Sequence, residues 1–272
     1  MFQKKLLEYP FLIMAHRGTW GGNIIQNTRQ STDVAYKLGA DIVEIDISRS
    51  HDGKYYLFHD GNEATLLNTN EHFTELNSSF IDNQPLINSS GSKSDYFTNK
   101  LEDYLEWLPE NYIINIDRSW FFWEDQKLFE LLNKANTNKH LFVKSPILRD
   151  RLDMLASRGD HLPYVGIIKS IEDFELLCEY PSLNLVGIEI IVDSNHSELL
   201  NSEWLTDLKA RGIVIIANIE HLGADYNLFI GINDDNSVIN PNINHLTIYP
   251  IDIFQTDWPT FLYQLRKEII DE

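Results

Sequence analysis

The chain has 272 residues, 43% of them hydrophobic and 23% charged, with a formal net charge of −19. That length suffices for one large α/β domain with a sizeable core, and the acidic balance disfavours nucleic acid and anionic membranes as partners. No apolar run is long enough to span a bilayer, the segment around Lys4, Lys5 and Glu8 lacks the pattern of a signal peptide, and Cys178, the single cysteine, excludes an internal disulfide. The expectation is a cytoplasmic protein without membrane insertion.

The first predicted strand, Leu12–His16, ends in His16-Arg17-Gly18 and is followed by an amphipathic helix, Thr28–Leu38. A second strand, Ile42–Ile47, carries Glu44 and Asp46 inside an apolar run. Residues 48–98 then break the pattern. They hold a short strand, Tyr55–His59, and a polar stretch whose loop Asn88–Ser94 is expected to be mobile. This segment is predicted to be an insertion that caps the mouth of the fold. A helix at Leu101–Leu108 leads to the strand Ile113–Asp117. The aromatic run Trp120-Phe121-Phe122-Trp123 opens the next helix, Phe122–Ala135, and is read mainly as packing, with the lining of a cleft as the second reading. Strands at Leu141–Ser145, Val165–Lys169, Val186–Val192, Ile213–Ile219 and Asp252–Thr256 follow, separated by helices at Ile147–Ser157, Ile171–Cys178 and Glu198–Lys209. The stretch Gly231–Ile248 stands where the last helix before the final strand is due.

Strand–helix alternation implies a parallel sheet, and eight such units fit a (β/α)8 TIM-type barrel spanning 1–272 as one domain. A doubly wound open sheet is the alternative, but no glycine-rich dinucleotide fingerprint follows the first strand.

Side chains alternate along a strand, so Glu44 and Asp46 share the face opposite Val43, Ile45 and Ile47. In a barrel that face is the interior, and late positions in a strand lie at the C-terminal mouth. Asn115 and Asp117 take the same face on the next strand. Three converging carboxylates repel one another unless a cation or a basic side chain separates them. Oxygen-only ligation suits Mg2+ or Ca2+, so Glu44, Asp46 and Asp117 are candidate metal ligands. The rival reading pairs each carboxylate with an Arg or Lys. His16 and His59 end apolar runs beside this cluster, and imidazole titrates near neutrality, so one is a candidate base and the other a candidate acid. Arg17 offers two donors to a phosphate oxygen, and Lys144, inward by alternation, is a second candidate phosphate cation. Gly18 fits either a close approach to ligand or a simple turn.

These residues resemble the glycerophosphodiester phosphodiesterase family. The resemblance lies in the order His16-Arg17-Gly18, Gln26-Asn27-Thr28, Gly39-Ala40-Asp41, Glu44-Ile45-Asp46, Asp52-Gly53 and His59-Asp60, closed by Thr256-Asp257-Trp258-Pro259. It covers nearly the whole chain. It implies a TIM-type barrel with a small insertion after the second strand, and metal-dependent cleavage of a small phosphodiester substrate to glycerol phosphate and an alcohol. His16 and His59 would be the acid/base pair, Glu44 and Asp46 metal ligands, and Arg17 a phosphate contact. The chain departs from the family where Gln26 replaces the usual Glu. It departs again where Asp117-Arg118-Ser119 replaces the usual Glu-x-Lys, which leaves the phosphate cation to Lys144 or Arg118. A non-catalytic barrel that binds a phosphorylated ligand is the alternative these departures raise.

Overall fold

The computed structural model describes residues 2–136, 140–158, 161–192, 196–219 and 248–271. Eight parallel strands form a closed barrel: β1 (Leu12–Ala15), β2 (Ile42–Arg49), β6 (Ile113–Asp117), β7 (His140–Pro146), β8 (Tyr164–Ile168), β9 (Leu185–Ile190), β10 (Val214–Asn218) and β11 (Ile253–Thr256). Pairing of Met14 with Ile42 and of Ala15 with Val43 closes the ring between β1 and β2. Helices α2 (Arg29–Lys37), α4 (Leu101–Trp107), α5 (Gln126–Asn136), α6 (Arg149–Arg158), α7 (Ile171–Cys178), α8 (Ser202–Ala210) and α9 (Pro259–Asp271) lie between and after the strands. Helix α9 has no counterpart among the helices expected from the sequence. The expected break at Gly231–Ile248 lies, except for Ile248, outside the described residues.

The period-two alternation of the strands sorts two cores. Ile13, Ala15, Val43, Ile45, Ile114 and Ile116 face outward and pack with helix residues such as Ala35, Leu105 and Leu128. Leu12, Met14, Ile42, Ile113, Phe142, Val165, Val214, Ile216 and Ile253 form a separate buried cluster with Phe2. Phe2 sits beside the short N-terminal helix α1 (Gln3–Leu6) and stacks edge-on against Phe142 at 5.4 Å. Further along the same inward rows the residues turn polar, as Glu44, Asp46, Asn115, Lys144, Glu189, Asn218 and Gln255, all buried. The barrel therefore has an apolar end and a polar end, and the polar end is the C-terminal one.

Residues 48–98 carry β3 (Tyr55–Leu57), a single π-turn at Glu63–Leu67, α3 (Ser78–Ile81), and an antiparallel hairpin of β4 (Pro85–Ile87) and β5 (Lys93–Phe97). β3 runs antiparallel to the end of β2, with Ile47 opposite Leu57. Tyr56, Phe58, Leu67, Phe73, Leu76, Ile81 and Leu86 give the segment its own small core. The loop expected to be mobile is the tip of the hairpin. Asn88 Oδ1 accepts from the backbone of Ser90 and Ser92, and Asn88 Nδ2 donates to Asn23 Oδ1 at 2.7 Å. The first two ties lie within the loop, and the third reaches a separate loop 65 residues away, which no local pattern in the sequence marks.

Candidate active site

Strand register brings the acidic residues together. On β2 and β6, Glu44 stands beside Asn115 and Asp46 beside Asp117. One carboxylate oxygen from each of Glu44, Asp46 and Asp117 lies within 4.8 Å of the others, the one such ligand cluster among the described residues. Glu44 and Asp46 are buried, and Asp117 is part-buried at the rim. Burial, with the charge of Asp46 next, holds the Glu44 carboxyl well above the ordinary carboxylate range. Burial also raises Asp117, against the opposing pull of Lys144. Glu44 Oε2 accepts from the Arg17 backbone at 2.8 Å, while its buried Oε1 has no hydrogen-bond partner. A buried, unsatisfied carboxylate oxygen is costly. Hard oxygen donors converging around it fit a divalent cation.

The segment after β1 wraps around these ligands. Arg17 and Asn27 adopt left-handed backbone conformations, with φ of 57° and 56°. Asn27 grips Asp46 twice, its Nδ2 donating to Oδ2 and its Oδ1 accepting from the Asp46 backbone, both at 2.9 Å. Arg17 lies 3.2 Å from Asp46 Oδ2 through Nε and donates from Nη1 to Gln26 Oε1 at 2.8 Å. The amide at position 26 thus keeps a contact that a carboxylate would make. Gly18 faces protein: a Cβ there would lie 2.6 Å from the Ser31 backbone, so the glycine lets the loop close on α2.

His16 follows β1, and its Nδ1 lies 2.9 Å from Asp257 Oδ1. Its Nε2 accepts from Arg17 Nε at 3.2 Å, which assigns the proton to Nδ1 and makes Asp257 its acceptor. Asp257 belongs to the closing Thr-Asp-Trp-Pro segment and is not among the site residues expected from the sequence. Its signal was an acidic residue directly after the last strand, at the same end of the barrel. His59 follows β3 and is carried beside the cluster because Phe58 N donates to the Asp46 carbonyl at 3.1 Å. Its Nδ1 lies against the Asp60 carbonyl, and Arg118 Nη1 stands 3.3 Å from Nε2. Burial lowers the His59 pKa. The Arg17 and Arg118 charges act in the same direction against Asp46.

Lys144 lies inside the barrel with 2% of its side chain exposed, 3.0 Å from Asp117 and 2.8 Å from Glu189. Burial alone would lower its pKa, but the carboxylates of Asp117, Glu189 and Glu44 outweigh burial and hold it charged. Asn218 Nδ2 in turn donates to Glu189 Oε1 at 2.8 Å. Glu189 was visible in the sequence as a lone acid within an apolar strand. Arg118 pairs with Asp60 at 2.5 Å and stacks on Phe121, whose ring is 47% exposed, while Trp123 is buried. The aromatic run therefore divides between packing and the mouth.

Residues 16–161 match the model of the Glycerophosphoryl diester phosphodiesterase family. Among solved structures, the chain is similar to a glycerophosphoryl diester phosphodiesterase of Parabacteroides distasonis, with a TM-score of 0.76 at 14% identity over 98% of this chain and 92% of that one. It is also similar to an Oleispira antarctica phosphodiesterase in complex with the product sn-glycerol-3-phosphate, with a TM-score of 0.70 at 19% identity over 98% and 99%. A Thermotoga maritima glycerophosphodiester phosphodiesterase gives 0.65 at 21% over 94% and 98%. At these identities the likeness shows the fold. No curated protein sequence matches the chain.

Proposed function

The chain belongs to the glycerophosphoryl diester phosphodiesterase family, and from that premise we propose that it cleaves glycerophosphodiesters to glycerol phosphate and a free alcohol, with Glu44, Asp46 and Asp117 holding Mg2+ or Ca2+. The observation that carries this reading is the convergence of the three carboxylates on a buried Glu44 oxygen without a partner. A bound divalent cation supplies Lewis acidity toward a phosphoryl oxygen. His16 takes the proton from the attacking hydroxyl, whether water or the substrate's own glycerol. Its Nε2 is the acceptor, and Asp257 stabilises the imidazolium that forms. His59 donates to the departing alkoxide. Burial and two guanidinium groups keep it neutral at rest, and the phosphate anion supplies the counter-charge its protonated form requires. Arg17 binds the phosphate from the rim, and Lys144 adds positive charge from the buried side of Asp117.

Residues 48–98 act as the cap of this single-domain enzyme. The hydrogen bonds between the hairpin tip and the loop at Gly22 and Asn23 support that role. The acidic charge and the single cysteine favour a cytoplasmic enzyme of a small-molecule substrate, without nucleic-acid partners.

Glycerophosphoethanolamine incubated with the protein and Mg2+ or Ca2+ is expected to yield glycerol phosphate, followed by phosphorus NMR, which also registers a cyclic phosphate. EDTA is expected to silence turnover, and full activity after rigorous chelation overturns the metal role. His16→Ala and His59→Ala are each expected to lower kcat by on the order of 10²–10⁴. Near-normal turnover in either folded variant contradicts the proton-transfer assignment.

A further inference from the structure

A cavity of about 740 Å3 lies on the Gln26 side of the mouth, between the loop after β1 and the insertion. Its walls include Trp20, Ile24 and Ile25 on one side and Ala64, Leu66 and Ile87 on the other. Two loops are stapled across it: Ser89 donates to the Gly22 carbonyl from both its backbone and its hydroxyl at 3.2 Å, and Asn88 donates to Asn23. Gln26, which lines the cavity, also accepts from Arg17, the proposed phosphate contact. The cavity thus begins one side chain away from where the phosphate is proposed to sit. In a chain of net charge −19, no carboxylate among the described residues lines it, and Lys93 is the one described ionisable residue in its wall.

Resting on the phosphodiesterase reading above, we propose that this cavity holds the second alcohol of the substrate and selects a neutral, extended apolar one. Its volume falls within the roughly 300–1,000 Å3 of pockets that enclose drug-sized ligands, far more than ethanolamine fills. Among the described residues, a cationic headgroup would meet Lys93 and no compensating carboxylate, and Trp20 alone makes no aromatic cage. An alkyl chain, by contrast, buries against Trp20, Leu66 and the isoleucines and brings no polar group of its own that needs a partner. The glycerol arm has its own space. A second cavity of about 270 Å3 beside His59 has a mixed lining, with Ile47, Phe73, Phe121 and Phe122 beside polar groups such as Asp60 and His72, and its polar side suits the glycerol hydroxyls.

The test compares kcat/KM for sn-glycerol-3-phosphate esters of 1-octanol and of ethanolamine. The octyl ester is expected to be preferred by about tenfold or more, the scale set by burying a few methylenes. Trp20→Ala and Leu66→Asn are each expected to bring that ratio down at least about fivefold. Equal kcat/KM for the two esters, or a ratio unmoved by both substitutions, overturns the proposal. If neither ester is hydrolysed with any divalent cation, the phosphodiesterase reading fails, and calorimetry with n-octyl phosphate decides the cavity separately. Binding weakened by Trp20→Ala sustains the apolar subsite, and binding that is absent or unaffected removes it.

Discussion

At the scale of single residues, the mouth of the barrel concentrates unusual backbone. Arg17, Asn27 and Arg118 all have φ near +57°, a region that costs a non-glycine residue about 1–3 kcal/mol when the surroundings enforce it. The return is visible at two of them. Arg17 turns its backbone N–H onto Glu44, and Asn27 spans Asp46 with both ends of its amide. Asp257 orients His16 in the same spirit, through one hydrogen bond at 2.9 Å. Asp257→Asn keeps the shape but offers a donor in place of the negative charge. It is expected to lower kcat on the order of 10²-fold or more with little change in KM, measured by steady-state kinetics alongside circular dichroism to verify the fold. The histidines, Glu44, Asp46 and Asp117 were legible as candidates because polar residues in apolar runs are costly. The partners Asp257 and Glu189 were visible only as isolated acids, since hydrogen bonds across 241 and 45 residues leave no local trace.

At the scale of elements, α2 anchors the segment that carries the site. Thr28 and Ser31 form a reciprocal capping box at its start, with Thr28 directly following Asn27. Thr28→Ala is expected to cost about 1 kcal/mol of stability, seen as a lower urea midpoint with unchanged slope. Gly18→Ala combines a left-handed φ of 76° with a Cβ driven into Ser31, so its expected cost exceeds about 1 kcal/mol. A wild-type midpoint in that variant would contradict the close contact. The strands and most helices were legible because their apolar residues follow periods of two and 3.6. The β4–β5 hairpin was not. Its second strand reads Lys-Ser-Asp-Tyr-Phe, without apolar alternation, and its pairing is supported by a neighbouring core that includes Phe73, Ile81 and Leu86.

At the scale of the whole molecule, strand register gathers Glu44, Asp46 and Asp117 at one end of the barrel, where Arg17 meets Asp46 and Lys144 meets Asp117. Burial raises the carboxyls of Glu44 and Asp117 above their values in the unfolded chain. A raised carboxyl contributes stability below its unfolded value and loses that contribution as pH rises through the folded one. In the metal-free protein this pair therefore weakens the fold as pH climbs toward neutrality. A cation must find these groups ionised, so binding releases protons and tightens with pH. The rise in Tm produced by saturating Mg2+ or Ca2+ is expected to grow between pH ~5 and ~8, read by calorimetry. A metal-induced shift independent of pH would count against this cluster as the binding site.

The amino-acid sequence alone determined the barrel, the order of its strands, and which residues face inward at the mouth, because alternation and the punctuation of apolar runs are local properties of the chain. Only the tertiary structure decided which groups touch. Asp41 illustrates the division: it stands within a motif that resembles the family, yet it is buried, accepts from Ile13 N and pairs with Arg266 of α9. Lys144, inward by alternation, rests on Asp117 of the adjacent strand β6 and Glu189 of β9, two strands away. Such pairings depend on strand register and on ring closure, which are set when β1 meets β2 and β11 and are encoded in no single segment.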